Sequence, residues 1–190
     1  MPLSSDYVNS VAEVAKNDSI LVHVDGARIF NAAVSLDTPV AKLTDEIDSV
    51  SFCLSKGLSA PAGSLLCGPE DFIYRARRNR KALGGGMRQV GIVAAGGLFA
   101  LKFNRERLRE DHLKAEKVFD VIIERFGEDS ASLATNMIHV NLADTKFTGF
   151  VPHLKKHGVI LSSPRFVFHM GISESDLDRL IRIISSFKSK

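Results

Sequence analysis

The sequence has no tryptophan, only two cysteines and two tyrosines, and no long run of apolar residues. The shortage of cysteine excludes a small fold that is held together by disulfide bonds. Because about 20 consecutive apolar residues are needed to cross a bilayer as a helix, no membrane span is predicted. The net charge of +3 is too small to indicate a nucleic-acid-binding protein. What remains, 45% hydrophobic and 25% charged residues in a chain of 190, is typical of a globular protein with a sizeable core.

Signals for export and for metal binding are also lacking. The N-terminal segment MPLSSDYVNSVAEVAKN has neither the basic start nor the apolar stretch of a secretory signal, so we expect a cytoplasmic protein. Cys53 and Cys67 lie in apolar, strand-like runs and are predicted to be buried free thiols. His153 and His157 have the spacing of a helical pair, but no acidic residue or cysteine lies near them in sequence, so no metal site is predicted.

The hydrophobic pattern predicts helices alternating with short strands. The predicted strands are 20–24, 50–54, 64–67, 137–142, 159–161 and 166–170. The predicted helices cover 7–15, 70–81, 89–101, 108–126, 147–154 and 177–184. The helix over 89–101 is apolar nearly all round, which predicts burial against a sheet or a subunit. The composition turns heavily charged from Asn104, and this change predicts a boundary between a domain at 1–105 and a smaller one at 106–190.

Two of the predicted strands end in a charged residue that is followed by glycine. Asp25 and Gly26 follow the apolar run 20–24, and Lys56 and Gly57 follow a second run. An open α/β sheet places its chemistry at the carboxyl ends of such strands. A carboxylate and an amine at strand ends suit pyridoxal phosphate, because the acid can keep the pyridine nitrogen protonated and the amine can form a Schiff base. A turn aspartate and an exposed loop lysine would give the same short patterns.

Three longer blocks make the pattern specific. They are HVDGARIFNAAV (23–34), SVSFCLSKGLSAPAGSLLCG (49–68) and RARRNRKALGGGMRQVG (75–91). In this order and spacing they resemble the low-specificity threonine aldolase family, a branch of the fold-type I pyridoxal phosphate enzymes, and the tail PRFVFH (164–169) fits the end of the same family. The resemblance implies an α/β fold, in which 1–105 is the C-terminal part of a fold-type I major domain with a mostly parallel sheet and 106–190 is a small C-terminal α/β domain.

The resemblance also implies a role for each of five residues. Lys56 is the catalytic lysine that forms the Schiff base with pyridoxal phosphate, and Asp25 pairs with the pyridine nitrogen. Arg28 reaches the ring oxygen of the cofactor or orients Asp25, with a structural salt bridge as the alternative. Arg165 binds the α-carboxylate of the amino-acid substrate, for which a planar guanidinium is well suited. Arg88 contributes to substrate binding at a neighbouring site across a subunit interface, or else is a plain interface or surface residue.

The activity implied by the resemblance is cleavage of L-threonine or L-allo-threonine to glycine and acetaldehyde. We therefore expect the chain to bind a small-molecule amino-acid substrate and to form a homo-oligomer with further copies of itself. We expect it to bind neither nucleic acid nor a membrane. The resemblance begins in the middle of the family's sequence, so the N-terminal half that supplies the phosphate-binding loop and the ring stacked on the cofactor is not matched. Two alternatives therefore stay open: another pyridoxal phosphate-dependent lyase or aminotransferase, and a catalytically impaired remnant of such an enzyme.

Overall fold

The computed structural model divides the chain between Leu108 and Arg109 into a first unit, Pro2–Leu108, and a second unit, Arg109–Lys190. It describes residues 1–142 and 145–188. Each unit has its own three-stranded sheet and its own cluster of buried apolar side chains. Within the described ranges, no helix combines the length and the apolar character needed to traverse a bilayer.

The sheet of the first unit contains the two strands that end at the predicted site. The elements of this unit are α1 (Ser5–Asn17), β1 (His23–Asp25), α2 (Ile29–Ser35), α3 (Val40–Leu43), β2 (Ser49–Cys53), β3 (Ser64–Cys67), α4 (Glu70–Ala82) and α5 (Gly91–Phe103). The strand order is β1-β2-β3, with β1 and β2 parallel and β2 and β3 antiparallel. The parallel pair needs a long crossover, which here runs through α2 and α3. The buried cluster packs under the loop between β2 and β3 and consists of Leu54, Leu58, Ala60, Ala100 and Leu108.

Most predicted elements of the first unit are confirmed, with differences that local contacts explain. The first strand begins only at His23, because the N–H of Val22 donates to a carboxylate oxygen of Asp48 at 2.7 Å. The short helix α2 was missed by the prediction. The predicted burial of Cys67 is wrong, because it lies on β3, an edge strand whose residues are all exposed, while Cys53 is half-buried; both thiols are free.

Helix α5 is mostly exposed within the described chain, so it is not buried against a sheet there, and the predicted alternative of burial against a subunit stays a prediction. Ile92, Leu98 and Phe99 are 82%, 70% and 59% exposed. Within this helix only the small residues Gly97 and Ala100 are buried. The packing at Gly97 is close, because a Cβ built there would lie 2.8 Å from Cδ1 of Leu54. The packed face of this helix is therefore formed mainly by small residues, with Leu101 partly packed against the buried cluster, while Ile92, Leu98 and Phe99 are exposed.

The second unit is an antiparallel sheet with helices around an aromatic core. Its elements are α6 (Leu108–Phe126, which begins at the last residue of the first unit), β4 (Ala131–Ala134), β5 (Met137–Val140), α7 (Phe150–Lys156), β6 (Arg165–Val167) and α8 (Glu174–Ser186), with strand order β4-β5-β6. Phe150 is fully buried at the centre, where its ring centroid lies 5.4 Å from Phe126, 5.6 Å from Phe147 and 5.4 Å from Phe187. Edge-to-face pairs of this kind add to the free energy that burial alone provides.

Two predictions for the second unit fail for local reasons. The strand predicted at 159–161 does not form, because the N–H of Val159 donates to the carbonyl of Leu154 and closes the end of α7. The strand β4 was missed, because its run of Ala131, Ser132, Leu133 and Ala134 has little alternation. The helix predicted at 177–184 is confirmed as α8, and its start is capped by a reciprocal capping box of Ser173 and Asp176.

Candidate functional site

The structure places Asp25 and Lys56 at the same edge of the first sheet. Asp25 is the last residue of β1 and is in register with Ser51 on the parallel strand β2. Lys56 follows the end of β2 by three residues, and both side chains are exposed. Since parallel strands end at a common edge, an acid and an amine face solvent from neighbouring strand ends, which is the arrangement expected from the sequence.

The turn after Asp25 explains why glycine must follow it. A carboxylate oxygen of Asp25, Oδ1, accepts a hydrogen bond from the N–H of Ala27 at 3.1 Å. The N–H of Gly26 donates to the carbonyl of Ser51 at 2.7 Å, so the chain is drawn against β2. A Cβ at position 26 would lie 3.0 Å from that same carbonyl oxygen and 3.1 Å from Cγ2 of Val50. The carboxylate is therefore oriented by its own turn.

The loop that carries Lys56 is held from beneath by two asparagines that the sequence analysis did not single out. The side-chain amide of Asn104 donates to the carbonyl of Leu58 at 2.8 Å. A Cβ on Gly57 would lie 2.9 Å from Oδ1 of the buried Asn31, so the loop rests directly on α2. The block HVDGARIFNAAV contained Asn31, but only the three-dimensional contact shows what it supports.

A polar face runs along the same side of the sheet as Asp25. Side chains two residues apart in a strand share a face, so His23 lies beside Asp25, and Ser49 and Ser51 lie opposite them on β2. Nδ1 of His23 is 2.9 Å from Oγ of Ser49, and its other ring nitrogen is 3.4 Å from Oγ of Ser51. Hydrogen-bonding groups at this face extend from the first residue of β1 to its carboxyl end.

The two other predicted residues of the first unit lie at element ends. Arg28 is the half-buried residue before α2, and its carbonyl accepts the N–H groups of Asn31 and Ala32. Arg88 is exposed in a turn shortly before α5. These positions are compatible with the predicted roles, which stay predictions.

Arg165 belongs to the second unit, where it begins β6 and lines an open cavity of about 440 Å³. Ser163 turns the chain just before it, with its carbonyl accepting the N–H of Arg165 at 2.6 Å. Asp176 and Arg179 of α8 line the same cavity. Hydrogen bonds from the hydroxyl and the N–H of Ser173 lower the pKa of Asp176, so this carboxylate stays charged beside the cavity.

The donor set at the sheet edge fits pyridoxal phosphate and does not fit a metal ion. Asp25 offers a carboxylate for a protonated pyridine nitrogen, and Lys56 offers an amine for an aldehyde. Among the described residues, no three histidines, cysteines or acids come together as metal ligands. Nε2 of His153 lies 2.9 Å from the carbonyl oxygen of Ile183, and Nδ1 of His157 lies 2.9 Å from the carbonyl oxygen of His153, so each ring already has a backbone partner.

Comparison with known proteins identifies the family. The sequence model of the beta-eliminating lyases matches residues 1–145, which is more than half of the chain. The chain belongs to the beta-eliminating lyase family. It is 40% identical over 185 residues to low-specificity L-threonine aldolase 1 of Arabidopsis thaliana, covering 92% of this chain and 52% of that protein. It is 41% identical over 178 residues to the low specificity L-threonine aldolase of Escherichia coli K12, covering 92% of this chain and 53% of that protein.

The fold is shared with solved structures of the same group. The crystal structure of a putative L-allo-threonine aldolase from Listeria monocytogenes superimposes with a TM-score of 0.76 at 18% identity, over 96% of this chain and 56% of that one. The resemblance to the threonine aldolases and the α/β fold of the fold-type I pyridoxal phosphate enzymes are thereby confirmed. The chain spans about half the length of the curated relatives it matches.

Proposed function

We propose that this chain carries part of the site of a pyridoxal phosphate-dependent lyase, which cleaves L-threonine or L-allo-threonine to glycine and acetaldehyde. One observation carries the proposal: Asp25 and Lys56 lie exposed at the common edge of β1 and β2, in a chain that is 40% identical over 185 residues to an L-threonine aldolase. When bound, the cofactor supplies an electron-accepting ring for the electron pair of the substrate's breaking Cα–Cβ bond.

Each of the two residues has one task. Lys56 would hold the cofactor through its ε-amine, which can form the Schiff base only from its neutral form. Asp25 keeps a proton on the pyridine nitrogen, and its turn with Ala27 fixes the carboxylate for this purpose. Removal of the proton from the β-hydroxyl lets the Cα–Cβ bond break, and Cα must then take up a proton to give glycine; we assign no residue of the chain to either proton transfer.

We propose binding roles for three arginines. Arg28, three residues after Asp25 and at the start of α2, contacts the cofactor ring or Asp25. Arg165 binds the substrate α-carboxylate, which its guanidinium can grip with two parallel hydrogen bonds. Arg88 contributes to substrate binding across an interface between copies of the chain, supported by its exposure in the turn before α5.

We also carry over the domain and assembly assignments as proposals. Residues 1–105 correspond to part of the cofactor-binding major domain, and 106–190 to a small C-terminal domain. The exposed apolar side chains of α5 support a homo-oligomer, a dimer or tetramer, because such surfaces mark interaction sites. The free thiols of Cys53 and Cys67 support a cytoplasmic location.

A second function is favoured by the family itself. The matching family model is that of beta-eliminating lyases, in which a leaving group departs from the β-carbon of the amino acid. The tasks of Lys56 and Asp25 would be the same, and the substrate pocket would differ. Pyruvate released from L-serine or L-cysteine would indicate this reaction, whereas acetaldehyde from threonine would indicate the aldolase reaction.

The experiment that tests the proposal traps the cofactor on the chain. We expect that borohydride reduction in saturating pyridoxal phosphate, followed by peptide mass spectrometry, labels Lys56, and that Lys56→Ala loses both the label and acetaldehyde release from L-threonine. Lys42→Ala, at an exposed lysine of α3, is the matched control and should keep both. A label on another lysine would show that Lys56 is not the attachment site. Absence of any label would favour a remnant that has lost the cofactor.

A further inference from the structure

One groove of the second unit is lined by basic side chains, of which Arg179 also lines the cavity that contains Arg165. It has a volume of about 590 Å³ and lies along the end of α7 and one side of α8. Its lining residues are Lys156, His157, Gly158, Arg179, Arg182, Ile183 and Ser186, a set that includes no acidic residue. We refer to this set as the basic groove.

The cations of the basic groove make no direct ion pair with a described residue, although the charge of Arg179 contributes to lowering the pKa of the nearby Asp176. Among the described residues, no carboxylate lies within ion-pair distance of Lys156, Arg179 or Arg182. The same unit does form such pairs elsewhere: Lys114 and Lys117 both lie within 4 Å of Glu174 at the start of α8, at 3.6 and 3.8 Å. Three like charges along one groove repel one another, and an anion would remove that repulsion.

Arg179 is held in place by the main chain. One guanidinium nitrogen donates to the carbonyl of His157 at 2.5 Å. The close approach depends on Gly158, which has a φ of +81° and whose Cβ, if present, would lie 3.1 Å from that nitrogen. A guanidinium has five N–H donors, so several remain for a ligand after this bond is made. Fixing the side chain in advance lowers the entropic cost of binding.

We propose that the basic groove binds the phosphate group of a small molecule. Two arginines and a lysine suit phosphate, since guanidinium forks match its oxygens and the ammonium adds a point charge. Single-stranded nucleic acid is less suitable, because its bases stack best on large aromatic rings and no phenylalanine, tyrosine or tryptophan is among the residues that line the groove in the described part of the chain. A membrane surface is also less suitable, because the one large apolar lining residue, Ile183, is buried.

Titration of the full chain with inorganic pyrophosphate and with inorganic phosphate, followed by NMR or calorimetry, tests the proposal. We expect saturable binding, with shifted resonances for Lys156, Arg179 and Arg182. The double variant Lys156→Gln/Arg182→Gln should bind about tenfold to a hundredfold more weakly, because a charge-assisted hydrogen bond contributes on that order. The control variant Lys155→Gln/Arg78→Gln removes the same charge from exposed positions outside the groove and should bind as the parent chain does.

Further arms separate the possible ligands. Equal binding of citrate would show a site for anions in general, and binding only to phosphatidylglycerol vesicles would show a lipid surface; either result would overturn the proposal. Phosphate binding that is weakened equally in both double variants would show charge screening only. The same conclusion would follow if phosphate did not bind saturably beyond the effect of chloride at matched ionic strength. Thermal melting checks that the variants fold. Should the double variant fail to fold, Arg182→Lys keeps the charge but loses the fork, and unchanged affinity in that variant would also contradict the proposal.

Discussion

At the residue scale, the proposed site is supported by backbone geometry more than by side-chain pairs. Asp25 is oriented by an N–H group two residues on, and the loop of Lys56 is fixed by a hydrogen bond from Asn104 to the carbonyl of Leu58. Glycines at positions 26 and 57 allow the close approaches on which this support depends. Substitutions beside the reacting groups should therefore matter as much as substitutions of the groups themselves.

The first prediction concerns Arg165 and depends on its proposed role. Arg165→Lys keeps the positive charge but loses one of two parallel hydrogen bonds. Binding of L-threonine should weaken roughly tenfold to a hundredfold, since a charge-assisted hydrogen bond is worth roughly 1.5–3 kcal/mol. The visible spectrum of the bound cofactor before substrate is added should be unchanged. Arg77→Lys, at an exposed position of α4, is the control. Loss of the cofactor spectrum with unchanged threonine binding would rule out the carboxylate role.

The second prediction concerns Gly57 and is independent of catalysis. In Gly57→Ala the new methyl group would lie 2.9 Å from both Asn31 Oδ1 and Leu108 Cδ2, so the buried cluster must shift. We expect the free energy of unfolding to fall by about 1–3 kcal/mol, the usual cost of overpacking. Urea denaturation measures this change. Gly91→Ala is the matched control, because no atom lies within 4 Å of a Cβ built there. Equal stability of the two variants would show that the loop yields without cost.

At the element scale, predictions from the sequence succeeded where a signal was local. Helix α8 could be located from its capping residues, and β3 from an apolar run between glycines. The helix α2 and the strand β4 escaped prediction, because both are short and β4 has little alternation of polar and apolar residues. The placement of Asp25 and Lys56 at a common sheet edge could be predicted from strand ends, while their roles stay proposals. Asn31 and Asn104 could not be predicted, because their role exists only through tertiary contact with the lysine loop.

The third prediction concerns the pH dependence of α6, which contains the buried His112. Desolvation lowers the pKa of His112 below its ordinary value of 6.5, although the neighbouring Asp111 acts in the opposite direction. The unfolded chain therefore binds a proton before the folded chain does, and stability is lost as the pH falls from 6.5 toward the lowered folded pKa.

Urea midpoints measured from neutral to mildly acidic pH test this expectation. His112→Gln should show a smaller loss of stability over this interval than the parent chain, and His139→Gln, at an exposed position of β5, should behave as the parent does. An unchanged acid dependence in His112→Gln would show that another group is responsible.

At the scale of the whole molecule, the exposed apolar surface of the first unit needs explanation. Helix α5 alone exposes Ile92, Leu98, Phe99 and Phe103, each by more than half. A contiguous apolar patch on a protein usually marks an interaction site. The sequence pattern identified α5 correctly as an apolar helix, but such a pattern does not distinguish packing within the chain from packing against another molecule.

The fourth prediction is that copies of the chain associate through α5. Ile92→Glu/Leu98→Glu places two charges on this surface and should shift the protein toward the monomer in light scattering coupled to gel filtration, while the helical circular dichroism is retained. The control Arg75→Glu/Arg78→Glu on α4 changes charge without removing apolar area and should leave association unchanged. A parent chain that is monomeric at all accessible concentrations would contradict the prediction.

The mixed strand order of the first sheet has a consequence for the order of folding events. The antiparallel pair β2–β3 closes over the short connection 54–63, whereas the parallel pair β1–β2 closes only after the crossover 26–48 is in place. Contacts nearer in sequence carry the smaller loop-closure entropy and form sooner. We thus expect the hairpin that bears the lysine to form first and the strand that bears the aspartate to pair with it afterwards. The two halves of the site would then be assembled one after the other and not together.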